Sequence, residues 1–148
     1  MFSQWHHNNI YETAEIGEGT KIGSYVEIGD KVKIGKNCKI QSKVFIPAGI
    51  TIGDNVFIGP GVIFCNDSHP KADNEHFVPE TTSVGNGVSI GAGSIIMPGI
   101  IILDEAVIGA GSLVINNCSA HRTYFGHPAK LYCPAGFEYC MGCGQCDK

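Results

Sequence analysis

The sequence predicts an all-β fold in which short strands and tight corners wind into a stack of triangular coils. Its 148 residues suit one domain, since domains usually hold roughly 100–200 residues. Its 20 glycines are about twice the ordinary share of ~7%, and many of them recur at a fixed spacing. Aliphatic residues recur with the same period of six. This period contains a strand alternation, so each unit is predicted to hold one strand and one corner.

The repeat places an aliphatic residue or Phe at every sixth position, in two runs. These positions are Ile10, Ile16, Ile22, Ile28, Ile34, Ile40, Ile46, Ile52, Ile58 and Phe64, then Val84, Ile90, Ile96, Ile102, Ile108 and Val114. A small or β-branched residue stands two positions earlier, as Val26 does before Ile28. Residues two apart on a strand face the same side, so both sets are predicted to fill the core. Glycine often follows the aliphatic residue, as Gly29 does, and is expected to serve corner backbone that other residues adopt at a cost.

Three units of six residues close one coil of 18 residues. The sixteen units therefore predict about five coils, stacked at ~4.8 Å each. We expect residues 1–131 to form this single domain, with one projecting loop at 65–83. Residues 132–148 are expected to form a short cysteine-rich tail.

The charge pattern argues against several classes of partner. Ten Lys and Arg against 14 Asp and Glu give a net charge of −4, and the basic residues are scattered singly, so no phosphate-tracking stripe is present. We therefore expect no nucleic-acid partner. No run approaches the ~18 apolar residues that a membrane span needs, and the first residues lack a secretory signal pattern. A cytoplasmic protein without a membrane partner is the expectation.

The interruption of the repeat carries the side chains best suited to catalysis. Between Phe64 and Val84 the period breaks, and this segment includes Asn66, Asp67 and His69. Long loops in compact domains are often functional. The imidazole of His69 could accept a proton near neutral pH, and the amide of Asn66 could donate to an oxyanion. A solvated loop histidine without a function is the alternative.

The phrase Ile-Gly-Ala-Gly-Ser occurs twice, at 90–94 and 108–112. The hexads, the interrupting loop and this repeated phrase together resemble the hexapeptide-repeat acyltransferases. The resemblance covers about residues 10–131. It implies a left-handed parallel β-helix, a hand opposite to the usual right-handed crossover. A pure scaffold solenoid without chemistry would be expected to have uninterrupted coils and a regular outward ladder, and neither is found in this sequence.

Two branches of that family match different segments. Gly59-Pro60-Gly61-Val62 followed by Asn66-Asp67-Ser68-His69-Pro70 is similar to the galactoside and maltose acetyltransferases, which implies O-acetylation with His69 as the base. Cys38-Lys39-Ile40-Gln41, Val44-Phe45-Ile46-Pro47 and Thr82-Ser83-Val84-Gly85 look like the N-acetyltransferases of nucleotide-linked 3-amino-deoxysugars. In that branch Asn66 and Asp67 would position the amine. Transfer of an acetyl group to the amino group of a nucleotide-linked sugar is the favoured interpretation.

The acyl donor implied by the resemblance is acetyl-CoA. The phrase Ile-Gly-Ala-Gly-Ser occurs at 90–94 and again at 108–112, one coil apart. The family carries the pantetheine arm along such small-residue corners, which here are Gly91, Ala92, Gly109 and Ala110. The segment Gly126-His127-Pro128-Ala129-Lys130 resembles the terminal loop of these enzymes, in which Lys130 would neighbour a phosphate. The family also implies a homotrimer with active sites between subunits.

A metal-dependent β-helix is the rival class. The γ-type carbonic anhydrases bind a metal through three histidines across a subunit interface, and a non-enzymatic metal-binding scaffold would likewise need converging ligands. The six histidines of this chain lie at the N-terminus, in the loop and near the final turn. None stands on the coil at the paired spacing that such a site requires.

The C-terminal tail predicts a metal site of its own. Four cysteines fall within the last sixteen residues: Cys133, Cys140, Cys143 and Cys146. In a cytosolic chain such clustering favours metal over disulfides, and four thiolates can surround a tetrahedral zinc. An iron–sulfur run without its full spacing and a disordered reduced tail are the alternatives.

Overall fold

The computed structural model describes residues 1–132 and, in that range, builds the chain from strands and corners without a helix. No helix long and apolar enough to cross a membrane is therefore found in this part of the chain. The fold is a left-handed parallel β-helix, which confirms the coils predicted from the repeat and the hand that the resemblance implies. Up to residue 114, successive strands occupy three sheets in turn, and each pairs in parallel with the strand one coil away.

We call the three sheets faces A, B and C, in the order in which the chain visits them. Face A comprises β1 (Ser3–Gln4), β4 (Lys21–Ile22), β7 (Lys39–Ile40), β10 (Phe57–Ile58), β13 (Ser89–Ile90), β16 (Val107–Ile108), β18 (Thr123–Gly126) and β19 (Ala129–Leu131). Face B comprises β2 (Asn9–Ile10), β5 (Glu27–Ile28), β8 (Phe45–Ile46), β11 (Ile63–Phe64), β14 (Ile95–Ile96) and β17 (Leu113–Val114). Face C comprises β3 (Glu15–Ile16), β6 (Lys33–Ile34), β9 (Ile50–Ile52), β12 (Thr82–Val84) and β15 (Ile101–Ile102).

The helix has about seven turns rather than the expected five. Both ends extend past the aliphatic period. At the N-terminus, Ser3–Gln4 pairs in parallel with Lys21–Ile22, and at the other end Thr123 and Tyr124 pair with Val107 and Ile108. Strand β19 then turns back antiparallel on β18. Backbone pairing therefore continues over coils whose side chains no longer follow the repeat.

The core consists of the two sets of positions that the sequence predicts. The aliphatic residues stack in register, as Ile40, Ile58 and Ile90 do on face A, and Ile58 and Ile90 are fully buried. The positions two residues earlier are buried too, including Cys38 and Cys118. Burial raises the pKa of the Cys118 thiol to about 11, so this cysteine is a protonated core residue.

The glycines that follow the aliphatic residues serve coil stacking rather than unusual backbone angles. A Cβ added to Gly29 would lie 2.6 Å from the backbone nitrogen of Ala48 on the next coil. The positive φ angle instead falls two residues later, at Gly19 (76°), Lys31 (54°) and Asn55 (57°), for example. The expected role of these glycines in corner backbone was therefore wrong. They are required because adjacent coils approach too closely for a side chain.

One corner between faces B and C is enlarged into the loop. The step from Phe45 to its successor Thr51 takes six residues, whereas the equivalent step from Ile63 to Ser83 takes twenty. The loop therefore adds fourteen residues to one corner. Positions 68–78 are all exposed. The segment without a strand ends at 81 rather than 83, because Thr82 and Ser83 already pair with Ile50 and Thr51.

Candidate active site

The base of the loop is pinned to the coil beneath it. The side-chain amide of Asn66 donates to the carbonyl oxygen of Ala48 at 3.0 Å, and the backbone N–H of Glu80 donates to the carbonyl oxygen of Asn66 at 2.9 Å. Gly49 leaves room for the returning chain, since a Cβ there would lie 2.8 Å from the carbonyl oxygen of Glu80. Its φ of 94° also disfavours any other residue. The two ends of the loop are thus held together.

Two carboxylates fix the short segment that carries His69. The Asp67 carboxylate accepts the backbone N–H of His69 at 2.8 Å. The Glu80 carboxylate accepts the backbone N–H of Ser68 at 2.9 Å. The hydroxyl and the backbone N–H of Ser68 hold the pKa of the Glu80 carboxyl below its usual range, and the charge of His69 adds to this lowering. The backbone is therefore fixed while the His69 side chain stays exposed.

The structure places the three predicted catalytic residues at one corner, and it shows a further residue, Glu80, that holds this segment and that sequence reasoning missed. Asn66, Asp67 and His69 lie together at the start of the loop, but one amide hydrogen of Asn66 is already used as an anchor. Glu80 was missed because nothing in the sequence links it to Ser68, twelve residues away. Its position just before the coil resumes at Thr82 is the only signal that could have suggested it.

The predicted donor residues form a continuous ridge at the corner between faces A and B. Ile90 and Ile108 are register partners, so Gly91 lies against the next corner, where a Cβ would come within 2.7 Å of the Ala110 Cα. Ala92 and Ala110 are both exposed. We call the stack of Gly59, Gly91, Ala92, Gly109 and Ala110 the small-residue ridge.

The C-terminal end of the ridge is closed by the hairpin of β18 and β19. The ring of Phe125 lies over Gly109, in the space that a side chain at that position would need. Lys130 pairs with Phe125 across the hairpin and is exposed. The predicted cofactor residues therefore converge on one edge of the molecule, with a cation at one end.

Buried hydroxyls stabilise the ridge from inside the core. The Ser94 hydroxyl lies 2.9 Å from the carbonyl oxygen of Gly91 and 3.0 Å from that of Gly109. The Ser112 hydroxyl donates to the Gly109 carbonyl at 2.7 Å. Both serines are almost completely buried. These bonds explain why the Ile-Gly-Ala-Gly-Ser phrase has a polar residue at a core position.

The loop and the ridge lie at different corners of the same chain. The loop leaves face B toward face C, whereas the ridge joins face A to face B. The width of face B therefore separates His69 from Ala92 and Ala110. One chain does not bring the predicted base next to the predicted donor site.

Face B carries an apolar ladder on its outer side. Phe45, Ile63, Ile95 and Leu113 are register partners on four successive coils. Phe45 and Ile63 remain 37% and 41% exposed. We call these four residues the face B ladder. It lies between the loop corner and the ridge corner.

Comparison with known proteins supports the repeat and the fold. The family model described as bacterial transferase hexapeptide (six repeats) matches residues 13–48 and 81–116. The chain carries the hexapeptide repeats of this family model. The two matched segments flank the coils around the loop. No curated protein matches the chain in sequence.

Many solved structures have a similar fold, and three of them, each from a different bacterium, illustrate the likeness. The hexapeptide-repeat chain matches PerB of Caulobacter crescentus, in complex with CoA and GDP-perosamine, at 21% identity and a TM-score of 0.75, over 86% of this chain and 55% of that one. It also matches a single-residue mutant of AntD, an N-acyltransferase of Bacillus cereus in complex with dTDP and coenzyme A. The identity is 22% and the TM-score 0.79, over 88% of this chain and 81% of that one. The third match is the acetyltransferase domain of Neisseria gonorrhoeae PglB, in complex with acetyl coenzyme A. Here the identity is 16% and the TM-score 0.76, over 87% of this chain and 56% of that one.

These likenesses establish the fold of the hexapeptide-repeat chain. It spans about half the length of the Caulobacter and Neisseria chains and most of the length of the Bacillus chain. The part that all of them share with this chain includes the β-helix itself.

The predicted tail site lies outside the described residues. Cys133, Cys140, Cys143 and Cys146 all fall beyond residue 132. Within residues 1–132, no group of three or more His, Cys, Asp or Glu side chains could hold a metal ion. A zinc site in the tail therefore stays a prediction from the sequence.

Proposed function

We propose that this hexapeptide-repeat protein transfers an acetyl group from acetyl-CoA to the amino group of a nucleotide-linked amino sugar. The small-residue ridge with Lys130 at its end is the observation that carries the proposal. It offers small residues on three adjacent coils, with Ala92 and Ala110 exposed, on which an extended pantetheine arm could lie close to backbone groups. Structures of similar fold hold CoA together with GDP-perosamine, or CoA with dTDP.

The reaction needs a nucleophile, a base and a proton donor for the departing thiolate. The amine nitrogen attacks the thioester carbonyl, forming the C–N bond and a tetrahedral oxyanion. The C–S bond then breaks and the thiolate of CoA leaves. The proton lost by the amine passes to the His69 imidazole and from there to the thiolate. Backbone N–H groups near the acyl carbon would stabilise the oxyanion.

The loop residues divide this work by their contacts. Asp67 and Glu80 hold the backbone of residues 68 and 69, so the imidazole of His69 starts from a fixed position. The side-chain amide of Asn66 donates one hydrogen to the carbonyl oxygen of Ala48. Its second hydrogen and its oxygen can bind the acceptor. Fixed geometry of this kind lowers the entropic part of the barrier.

O-acetylation of a sugar hydroxyl is the second candidate. It is favoured by the exposed imidazole of His69 on an anchored segment. A hydroxyl acceptor depends on a protein base more strongly than an amine, because a neutral amine is already a good nucleophile, whereas a hydroxyl becomes one only as its proton is removed.

The proposed active unit is a homotrimer whose sites lie between subunits. The loop corner and the ridge corner flank the face B ladder, which leaves Phe45 and Ile63 exposed. Packing of this apolar face against a second copy would cover the ladder and set the loop of one chain beside the ridge of its neighbour. Concave sites of this kind are the usual place for a cofactor.

Release of free CoA thiol is the test of the proposed function. The purified chain is incubated with acetyl-CoA and a panel of nucleotide-linked amino sugars and simple glycosides. We expect turnover with at least one nucleotide-linked amino sugar and acetylated product in the mass spectrum. Turnover only with hydroxyl acceptors would assign the second candidate. No turnover with any sugar, together with no binding of CoA by calorimetry, would exclude both.

A further inference from the structure

A small pocket adjoins the N-terminal end of the small-residue ridge. It has a volume of about 280 Å³ and is lined by Trp5, Lys21, Lys39, Gln41 and Ser42 with the neighbouring backbone of face A. Gln41 occupies the same corner as Gly59, one coil lower, and its N–H donates to the carbonyl oxygen of Ile58. We call these five residues the N-terminal corner pocket. It lies on the same edge of the molecule as the predicted donor site.

Two lysines place uncompensated positive charge at this pocket. Lys21 and Lys39 are register partners on adjacent parallel strands, and both are exposed. Strands in a sheet lie about 4.8 Å apart, and like charges directly opposite one another destabilise the pairing. Within residues 1–132, the ion pairs involve Lys31 and Lys33 instead. A bound anion would relieve the repulsion between the two ammonium groups.

An aromatic side chain stands beside the lysines. Trp5 is 71% exposed, although its backbone is fixed by a 3.0 Å hydrogen bond from its N–H to the carbonyl oxygen of Ile22. An indole held on a rigid backbone offers a planar surface on which a nucleobase can stack. Gln41 and Ser42, both half-buried, add an amide and a hydroxyl at the other side of the pocket.

We propose that the N-terminal corner pocket binds the nucleoside diphosphate part of the acceptor. The diphosphate lies between Lys21 and Lys39, and the base stacks on Trp5. This inference rests on the proposed function, since it assigns the nucleotide of the nucleotide-linked sugar. Ligand pockets usually measure about 300–1,000 Å³, so this one is too small for a whole sugar nucleotide. The sugar must extend beyond it, and the ridge with its acetyl donor is the adjoining surface.

The experiment measures nucleotide binding separately from catalysis. UDP, dTDP, GDP and inorganic pyrophosphate are titrated into the full chain by calorimetry. We expect one nucleoside diphosphate to bind, and the double variant Lys21→Gln/Lys39→Gln to weaken it at least tenfold. Lys31→Gln/Lys33→Gln removes the same charge from elsewhere on the surface and is expected to leave binding unchanged. Circular dichroism compares the folding of both double variants.

A second variant distinguishes the contribution of the nucleobase to binding from that of the phosphates. Trp5→Ala is expected to weaken the nucleoside diphosphate severalfold while leaving pyrophosphate binding unchanged, and Trp5→Phe is expected to restore most of the loss. This pattern would remain readable even if the double lysine variant failed to fold.

Other outcomes overturn the assignment. Nucleotide affinity that is unchanged in both Lys21→Gln/Lys39→Gln and Trp5→Ala, in a chain that still transfers acetyl groups, would refute the nucleotide site. The proposed function would not be affected. Loss of CoA affinity without loss of nucleotide affinity would assign the pocket to the donor's own nucleotide instead. The assignment would also be refuted if none of the four probes bound to the chain. Nucleotide binding that depends on the lysines, without acetyl transfer to any sugar, would support the pocket and refute the proposed function.

Discussion

His69 is positioned by its neighbours on the loop. Its own N–H is bound by Asp67 at 2.8 Å, and the N–H of Ser68 before it is bound by Glu80 at 2.9 Å. The backbone at this residue is therefore fixed while the ring points to solvent. An exposed ring on a fixed backbone suits the proposed role of His69, which is to receive a proton from the acceptor at the proposed interface between chains.

Removal of the imidazole tests this role. We expect His69→Ala to lower kcat by about 10²–10⁴-fold, the usual contribution of a general base. The affinity for acetyl-CoA is expected to stay unchanged, because the small-residue ridge lies at another corner. Steady-state kinetics and calorimetry with CoA measure the two quantities.

Asp67 supplies the matched comparison. Asp67→Asn keeps an oxygen that can accept the His69 N–H, whereas Asp67→Ala removes it, so only the second change should lower kcat. A His69→Ala variant with nearly full activity, beside an inactive Asp67→Ala variant, would instead assign positioning of the amine as the main catalytic contribution.

The loop depends as an element on the ionised carboxylate of Glu80. Its pKa is held below the usual range by Ser68. A carboxyl group with a lowered pKa stabilises the loop fully at any pH above the usual Glu pKa of about 4.3. This stabilisation is lost as the pH falls through the lowered pKa of the folded protein. We expect Glu80→Ala to speed hydrogen exchange of the Ser68 amide at pH 7. Wild type is expected to approach the variant's rate, corrected for intrinsic exchange, only in acid.

Glu75→Ala is the control for the loop, because Glu75 lies on the same exposed segment and its carboxylate makes none of the hydrogen bonds found there. Equal protection of Ser68 in the Glu80→Ala and wild-type proteins would show that the anchor is not needed. Amide exchange followed by mass spectrometry resolves the peptide that contains Ser68.

The strands were predictable from the sequence because each depends on only six neighbouring residues. The spacing of Val26 and Ile28, for instance, is enough to predict that both side chains face the core. The contact between Glu80 and Ser68 was not predictable, since it depends on how a long loop closes. The face B ladder was missed for a related reason. It becomes visible only when residues 18 or 32 positions apart, such as Ile63 and Ile95, are known to be register partners.

The cysteine-rich tail predicts a second element with its own cofactor. The spacing of Cys133, Cys140, Cys143 and Cys146 leads us to expect about one zinc per chain, measured by elemental analysis of anaerobically purified protein. Removal of the zinc by a chelator should expose the four thiols and leave acetyl transfer unchanged. Metal below a tenth of an equivalent, with all four thiols alkylated at once, would contradict this expectation.

The whole molecule is expected to be active only as a trimer. Ile63→Lys places a charge in the middle of the face B ladder, where burial against a second copy would be costly. We expect the mass in light scattering to fall from three chains to one, and acetyl transfer to fall with it. The free energy of unfolding of the separated chain should change little, because the side chain is 41% exposed.

Ile101→Lys is the matched control for the assembly. Ile101 is 45% exposed and has the same outward position on face C, so the same substitution there should leave the trimer intact. A trimer that survives Ile63→Lys and dissociates with Ile101→Lys would move the interface to face C.

The corner that carries the loop has a consequence for how such a protein can diversify. The chain leaves at Phe64 and rejoins the helix in register at Thr82, so the coils on either side do not depend on what lies between. Segments of other lengths and compositions could be exchanged at this one corner while every ladder of the prism stays aligned. The loop side chains proposed to contact the sugar could therefore change while the ridge proposed to hold the donor and the pocket proposed to bind the nucleotide stay the same. Acceptance of a different sugar would then require the replacement of one short segment.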